Sequence, residues 1–434
     1  MKSLHNDILR LAVPNILTNL TVPLLGLVDI GLMGHLTDAV YLGAVALGST
    51  IFSLLYSGLL FLRMSITGFT AQAYGAGYHR ESSLVLGRGV FLALIMGVML
   101  ILAQHPIEWG LFKLVNASDA AERIAVDYFR VRIWAAPATL CVFVFTGWFL
   151  GMQNSRIPLL IAVVINVVNI LLSILFVNRF GMNAAGVALG TVIAQYCGLL
   201  ISVLCFLKYY GRFRLLFSLS GMIRMDRLTR FFKVNGDILV RSILITGTFF
   251  YFNAVSASMG NLVLSVNSIL LQFLYIFSYF IDGFAFAAES LTGKMVGSGD
   301  NSGLRKLVKT LFLWSGILSL AFSLSYLVFG NDFISLLTDN SEIVSQVKPF
   351  FFWAVLIPVV SFAAFVWDGI YIGATASRYL RNAMLIVVLV FFLPASYFMK
   401  DAWGNHGLWL SLIIFLSARG DMLGLYYRRA IMRR

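Results

Sequence analysis

Charge is what this chain has least of. Only 12% of its 434 residues are Asp, Glu, Lys or Arg, while 60% are hydrophobic and 14% aromatic. Soluble globular domains carry about a quarter charged residues, so a mean hydropathy of +0.89 excludes that class. Cysteine is scarce too: Cys141, Cys197 and Cys205 all fall inside apolar runs, which leaves no disulfide framework and suits small packing residues. The five histidines sit near loops without metal-ligand spacing, so they predict no metal site. A P-loop is missing as well. Leu291-Thr-Gly-Lys294-Met lacks both the upstream glycine and the hydroxyl residue after Lys, and Ala-Tyr-Gly75-Ala-Gly77 reads as a glycine-rich helix end matched by Gly297-Ser-Gly299. At the N-terminus no short apolar segment leads into a small-residue cleavage site, so the first helix is expected to stay as a signal anchor.

What the chain has is long apolar runs. Stretches able to cross about 30 Å of hydrocarbon at 1.5 Å per residue number about twelve. Their cores are 9–34, 44–73, 83–104, 123–151, 157–178, 184–207, 236–258, 262–292, 306–329, 347–373, 379–399 and 404–427. Hydrophobicity is continuous rather than alternating, which argues for helices and against a β-barrel. The expected fold is all-α and integral to the membrane.

The net charge of +13 is spread over short loops that alternate along the chain, including Arg80 and Arg88, Arg212 to Lys233, Arg305 to Lys309, and Arg428 to Arg434. This is the positive-inside pattern rather than a nucleic-acid footprint, and it puts both termini in the cytoplasm. The opposite loops, 105–122 and 330–345, carry Glu108, Asp119, Asp332, Asp339 and Glu342.

The chain also repeats itself. Shifting it by 222 residues lays Thr146-Gly-Trp-Phe-Leu-Gly151 with Ser155-Arg156 on Asp368-Gly-Ile-Tyr-Ile-Gly373 with Ser377-Arg378. The same shift lays Thr70, Gly75 and Asn183 on Thr292, Gly297 and Asn405, and a shift of 226 lays Met33-Gly34 on Met259-Gly260. Several matches in order indicate a duplicated six-helix unit. Six is even, so both copies enter from the same side, a parallel repeat suited to alternating access. Residues 1–207 and 234–434 are the expected lobes, with a basic cytoplasmic linker over 208–233.

Within the first lobe one carboxylate stands inside a span. Asp29 lies six residues beyond Pro23, about 9 Å along the first helix, and Pro14 and Pro23 each remove a backbone donor so that this helix can bend. An intramembrane carboxylate costs a few kcal/mol and is usually functional. Asn166, Asn169 and Ser173 share one face of the fifth span, and Thr191 and Gln195 form an i,i+4 pair on the sixth. Asp29, Asn169, Ser173 and Thr191 are expected at one depth, where desolvation would raise the carboxyl's pKa and the amide and hydroxyl oxygens would receive a proton or a cation. The plainer role for the Asn, Ser and Thr residues is cross-helix bonding, about 0.6 kcal/mol each.

In the second lobe Asp282, Glu289 and Asp368 all fall toward the cytoplasmic end, at nearly the depth of Arg63. One expectation is an inner gate in which Arg63 pairs across the lobes, with Asp282 first. The alternative is ordinary pairs within one lobe. Asp237 and Arg241, i,i+4 on the seventh span, are expected to satisfy one another.

Taken together, Pro23-Leu-Leu-Gly-Leu-Val-Asp29, Phe61-Leu-Arg63-Met-Ser, Thr70-Ala-Gln72-Ala-Tyr-Gly75 and Asp282-Gly283-Phe to Glu289 resemble the multidrug and toxic compound extrusion (MATE) family, most closely its DNA-damage-inducible-protein-F (DinF) branch. The resemblance covers essentially the whole chain. It implies no enzyme and no cofactor, but a monomeric inner-membrane antiporter that exports cationic or amphiphilic compounds in exchange for H⁺ or Na⁺. The family's first-helix Asp falls on Asp29, its bending proline on Pro14, its fifth-helix Asn on Asn169 and its sixth-helix Thr on Thr191. Asn166, Asn169 and Gln195, with Asp29, are the expected substrate contacts. One departure is informative: related members often carry a second Asp where this chain has Ser173, and losing that charge weakens a Na⁺ site more than a proton site. H⁺ is therefore the expected coupling ion, with Na⁺ the alternative. A lipid-linked intermediate flippase would need several arginines in the central cavity, and here the intramembrane basic residues, Arg132, Arg63 and Arg241, lie near helix ends.

Overall fold

The computed structural model describes residues 2–34, 39–112, 119–222 and 224–432, and among them there is no strand. Seventeen α-helices follow in order: α1 Lys2–Gly34, α2 Ala39–Leu59, α3 Phe61–Gly75, α4 His79–Leu102, α5 Gln104–Phe112, α6 Asp119–Arg132, α7 Ala136–Gly151, α8 Arg156–Asn178, α9 Asn183–Tyr210, α10 Leu219–Met222, α11 Met225–Ser258, α12 Asn261–Ser298, α13 Asn301–Leu337, α14 Ser341–Val347, α15 Phe351–Gly373, α16 Ser377–Ile386 and α17 Leu393–Tyr427. Ten described stretches are long and apolar enough to cross a membrane. The longest, Ser377–Met432, breaks at Gly404 (φ 55°, ψ −131°) and so holds two crossings, and α1 is itself 33 residues long. The chain is an all-α, multi-pass membrane protein.

Several of the expected spans are interrupted. The run 44–73 divides into α2 and α3 at Leu60, and the run 123–151 passes through a 3₁₀ turn, Ile133–Ala135, just before Pro137 opens α7. Proline at the first turn of a helix supplies a preset φ and needs no backbone partner, so it restarts the helix cleanly. By contrast α1 stays helical from Lys2 to Gly34 through both Pro14 and Pro23.

The described chain divides into two compact units, one formed by Leu17–Phe231 and the other by Met1–Ile16 with Phe232–Arg434. In the first, α8 lies along α9, α3 and α4 pack on α7, and α2 packs on α6. Phe52 and Phe129 stack at 5.2 Å in a core with the buried Tyr128 and Val187. In the second, α12 lies along α15, which also packs on α13 and α17, around Phe273, Tyr326, Trp353 and Trp409. The start of α1 belongs to this unit: the Trp314 indole donates to His5 Nδ1 at 3.0 Å, and Gly283 of α12 leaves room for Ile16 and Ala12.

Lipid gives helices no hydrophobic reason to associate, so close packing relies on small residues. The repeat places these equivalently in both units. A Cβ on Gly147 of α7 would collide with the Arg63 carbonyl of α3, and one on Gly369 of α15 would collide with the Ala285 carbonyl of α12, 222 positions on. Left-handed backbone recurs at the same shift, at Gly77 (φ 73°) and Gly299 (φ 71°), and at Gln153 (φ 63°) and Thr375 (φ 49°). Large apolar side chains such as Phe91, Met99, Leu171, Leu320 and Leu324 face outward, as a lipid-facing surface requires.

Candidate functional site

In the first unit the polar face of α8 meets α9. The Asn169 Nδ2 donates to Thr191 Oγ1 at 2.9 Å, and the Thr191 hydroxyl donates in turn to the Val187 carbonyl at 3.0 Å. That second bond uses the only proton on Thr191 Oγ1, so its oxygen can only accept from Asn169, which fixes the amide with its oxygen pointing away. Asn169 Oδ1 is buried and has no hydrogen-bond partner among the described residues. One turn on, Ser173 Oγ is also buried without a described partner, pressed against Gly190, where an added Cβ would come within 2.9 Å of the hydroxyl. The face thus leaves one buried amide oxygen and one buried hydroxyl open.

Asn166, half-buried one turn before Asn169, reaches the Thr21 carbonyl of α1 at 3.5 Å, a long contact at the edge of hydrogen bonding. Gln195 is half-buried on α9. Asp29 lies on the helical backbone of α1, but its side chain lies outside the described residues. Pro14 and Pro23 are both partly buried within the same helix.

Charge gathers instead in the second unit. Asp368 Oδ2 accepts from Arg241 Nη2 of α11 and, at 2.9 Å, from Arg419 Nη2 of α17, with all three side chains nearly buried. Asp282 is close enough to act electrostatically on Arg419. The i,i+4 pairing expected between Asp237 and Arg241 does not form. Asp237 accepts from Arg381 Nη1 at 2.6 Å and Ser377 Oγ at 2.9 Å, because the two residues of α11 face different neighbours and each finds a better partner there. Arg63 is buried on α3 of the first unit and Glu289 on α12 of the second.

Sequence reasoning missed the amide network of the second unit. Asn267 donates to Ser256 Oγ at 2.7 Å and exchanges bonds with Asn405 at 2.8 and 2.9 Å, while the Trp409 indole donates to Asn267 Oδ1 at 2.7 Å. Only the recurrence of Asn183 at Asn405 signalled it. Arg132 is the other surprise. It bonds Tyr128 Oη and Ser49 Oγ and lies 4.8 Å over the Phe52 ring, anchoring α6 to α2.

Comparison with known proteins agrees with this architecture. The sequence profile described as MatE matches twice, at residues 14–175 and 238–398, one match for each half. The chain is 39% identical over 425 residues to the DNA damage-inducible protein F of Escherichia coli (strain K12), covering 97% of this chain and 91% of that protein. It is 23% identical to a probable multidrug resistance protein NorM of Idiomarina loihiensis, covering 100% and 96%. Among solved structures, the Vibrio cholerae MATE transporter VcmN in the bent form superposes with a TM-score of 0.87 at 18% identity, covering 100% and 98%. The duplicated profile, the whole-chain relative and the shared all-helical, two-lobed fold lead to one conclusion: the chain belongs to the MatE family of membrane transporters, and is not an enzyme.

Proposed function

We propose that this transporter is a proton-coupled multidrug exporter that carries cationic or amphiphilic compounds out of the cell by alternating access, with Asp29 as the coupling carboxylate. It works as a monomer in the inner membrane with both termini in the cytoplasm, its lobes being residues 1–207 and 234–434 joined through 208–233.

The observation that carries this reading is the open, uncharged face of α8. Asn169 Oδ1 and Ser173 Oγ are buried without described partners, beside Thr191. The Asn169 oxygen suits a group that donates a hydrogen bond, such as a protonated carboxyl or the cationic end of a substrate, and the Ser173 hydroxyl can accept or donate. The contact from Asn166 to Thr21 supports Asp29 as that group. The first and fifth crossings run in the same direction, and eight residues on from Thr21 is Asp29, while seven on from Asn166 is Ser173. At 1.5 Å per residue the two positions fall at one level. Asp368 of the second unit is less suited, because it already accepts from two arginines.

In the cycle, ionised Asp29 binds a cationic substrate. Protonation from outside removes the anion, releases the substrate, and lets α1 repack around Pro14 and Pro23. Na⁺ suits the site less well, since Asn169 and Ser173 offer it only neutral oxygens. Asp368 is set aside as a gate charge, because it serves within its own unit with Arg241 and Arg419. The test is uptake of a cationic dye into inverted vesicles under an imposed pH gradient: uptake that is lost in Asp29→Asn supports the reading, and uptake unchanged in Asp29→Asn contradicts it.

A further inference from the structure

A cavity lies in the second unit where the start of α13 meets the end of α17. Arg305, Val308 and Lys309 of α13, with Tyr427, Arg428 and Met432 at the end of the chain, line a cavity of about 670 Å³. None of its lining residues is a carboxylate. Among the described residues none of the three cations forms an ion pair, and Asp421, two turns before Arg428, bonds Ser417 at 3.2 Å instead. Three cations so close together repel one another unless an anion joins them.

The floor of this cavity is built. Tyr427 packs on Trp367 at 5.0 Å, and Trp367 packs on Phe312 of α13 at 5.0 Å, so α15 ties the two basic helix ends together through aromatic rings. Tyr427 Oη donates to Met432 Sδ at 3.3 Å, across the π-helical turn Arg428–Met432 that ends the described chain. Tyr and Trp beside Lys and Arg are the side chains of a membrane-water interface.

The rest of α13 points to the source of the anion. Arg305 and Lys309 are exposed and one turn apart, and the same face continues through Leu313, Ile317, Leu320 and Leu324, exposed by 55, 49, 56 and 61%. From Lys309 to Leu324 is fifteen residues, about 22 Å. A cationic pocket opening onto an apolar stripe of acyl-chain length fits an amphiphile with an anionic head, and basic pockets between transmembrane helices bind phosphate headgroups. We propose that this cavity is a site for an anionic phospholipid, its headgroup phosphate held by Arg305, Lys309 and Arg428 and its acyl chains laid along α13.

The experiment is native mass spectrometry of the full-length, detergent-purified protein titrated with dioleoyl phosphatidylglycerol or dioleoyl phosphatidylcholine. It compares the parent with the triple variant R305Q/K309Q/R428Q and with Arg156→Gln, an exposed basic residue outside the cavity. With three basic residues removed, the triple variant should lose about 100-fold in its preference for phosphatidylglycerol, while Arg156→Gln keeps the parent preference. Unchanged preference in the triple variant overturns the site, as does equal loss in Arg156→Gln. Equal binding of both lipids to the parent overturns the anionic selectivity. Displacement of phosphatidylglycerol by millimolar inorganic phosphate overturns the lipid as occupant and makes this a site for a soluble anion.

Discussion

The two units differ in where they place buried charge. In the first, Asn169, Ser173 and Thr191 form a neutral face with two acceptors left open. Their counterparts 222 residues on are Phe391, Ala395 and Ile413, so that face has no equivalent in the second unit. There, Asp368 Oδ2 is held by Arg241 and Arg419 while its Oδ1 stays without a described partner, and the repeat offers only Thr146 and Cys197 opposite Asp368 and Arg419. Duplication therefore conserved the packing and left the chemistry free to diverge. The glycines at 147 and 151 recur at 369 and 373, and the buried charges Asp368, Arg241 and Arg419 have no charged counterpart. A buried ion cluster holds helices together, while an open neutral face can take up and release a ligand.

The comparison breaks most visibly at Asp368. Removing one member of a buried ion cluster leaves its partners uncompensated, at a cost of about 3–5 kcal/mol. Asp368→Ala should therefore lower the thermal unfolding temperature in detergent sharply, and adding Arg241→Met and Arg419→Met should restore much of it. An unchanged unfolding temperature in Asp368→Ala would show that the cluster does not hold the second unit together.

Next comes the feature the units share. Gly147→Ala and Gly369→Ala each force a methyl group against a backbone carbonyl, and overpacking of this kind costs about 1–3 kcal/mol. Similar losses in the two variants, read as unfolding temperatures, would sharpen the equivalence. A loss in only one would break it.

Asn169→Leu should separate stability from transport. The lost cross-helix bond costs only about 0.6 kcal/mol, yet the site loses its oriented oxygen. We expect pH-driven efflux in proteoliposomes to fall about tenfold, a barrier change of about 1.4 kcal/mol, with little change in unfolding temperature. Flux that falls only in step with protein stability would reduce Asn169 to a packing residue.

The smallest contrast lies at a helix end. Asp300 caps α13 by accepting from Gly303 N–H at 2.8 Å and from Ser302 Oγ at 3.1 Å, whereas its counterpart Tyr78 gives α4 no side-chain cap. The Gly303 N–H, then the Ser302 hydroxyl, hold the Asp300 carboxyl below its ordinary value. Because the folded pKa is depressed, this contribution is fully present above the unfolded value of about 3.9 and is lost as pH falls through the lower folded value. Asp300→Asn should flatten the acid limb of the unfolding-temperature profile slightly. An acid limb identical to the parent's would remove Asp300 from the account.

Much of the fold was legible because it depends on patterns that survive without neighbours. Apolar runs of crossing length, the glycines at 147, 151, 369 and 373, and the shared face of Asn166, Asn169 and Ser173 all follow from periodicity along one helix. The breaks at Leu60 and at Ile133–Ala135 were hidden, since the hydrophobicity runs on through them. Partner choice was hidden for a different reason. Arg241 has Asp237 one turn away on α11, and sequence spacing alone favours that pair. The choice of Asp368 depends on α15 and α17 lying beside α11, a tertiary fact. The Asn267 network is of the same kind, joining α11, α12 and α17 through residues with no common spacing.

The central claim is that the open face of the first unit works with Asp29 to exchange a proton for a drug. Its most direct test is efflux of a cationic dye from proteoliposomes under an imposed pH gradient or Na⁺ gradient, with parent and Asp29→Asn side by side. The account predicts transport driven by the pH gradient alone and abolished by the substitution. Transport that requires Na⁺, or that survives in Asp29→Asn, would contradict it.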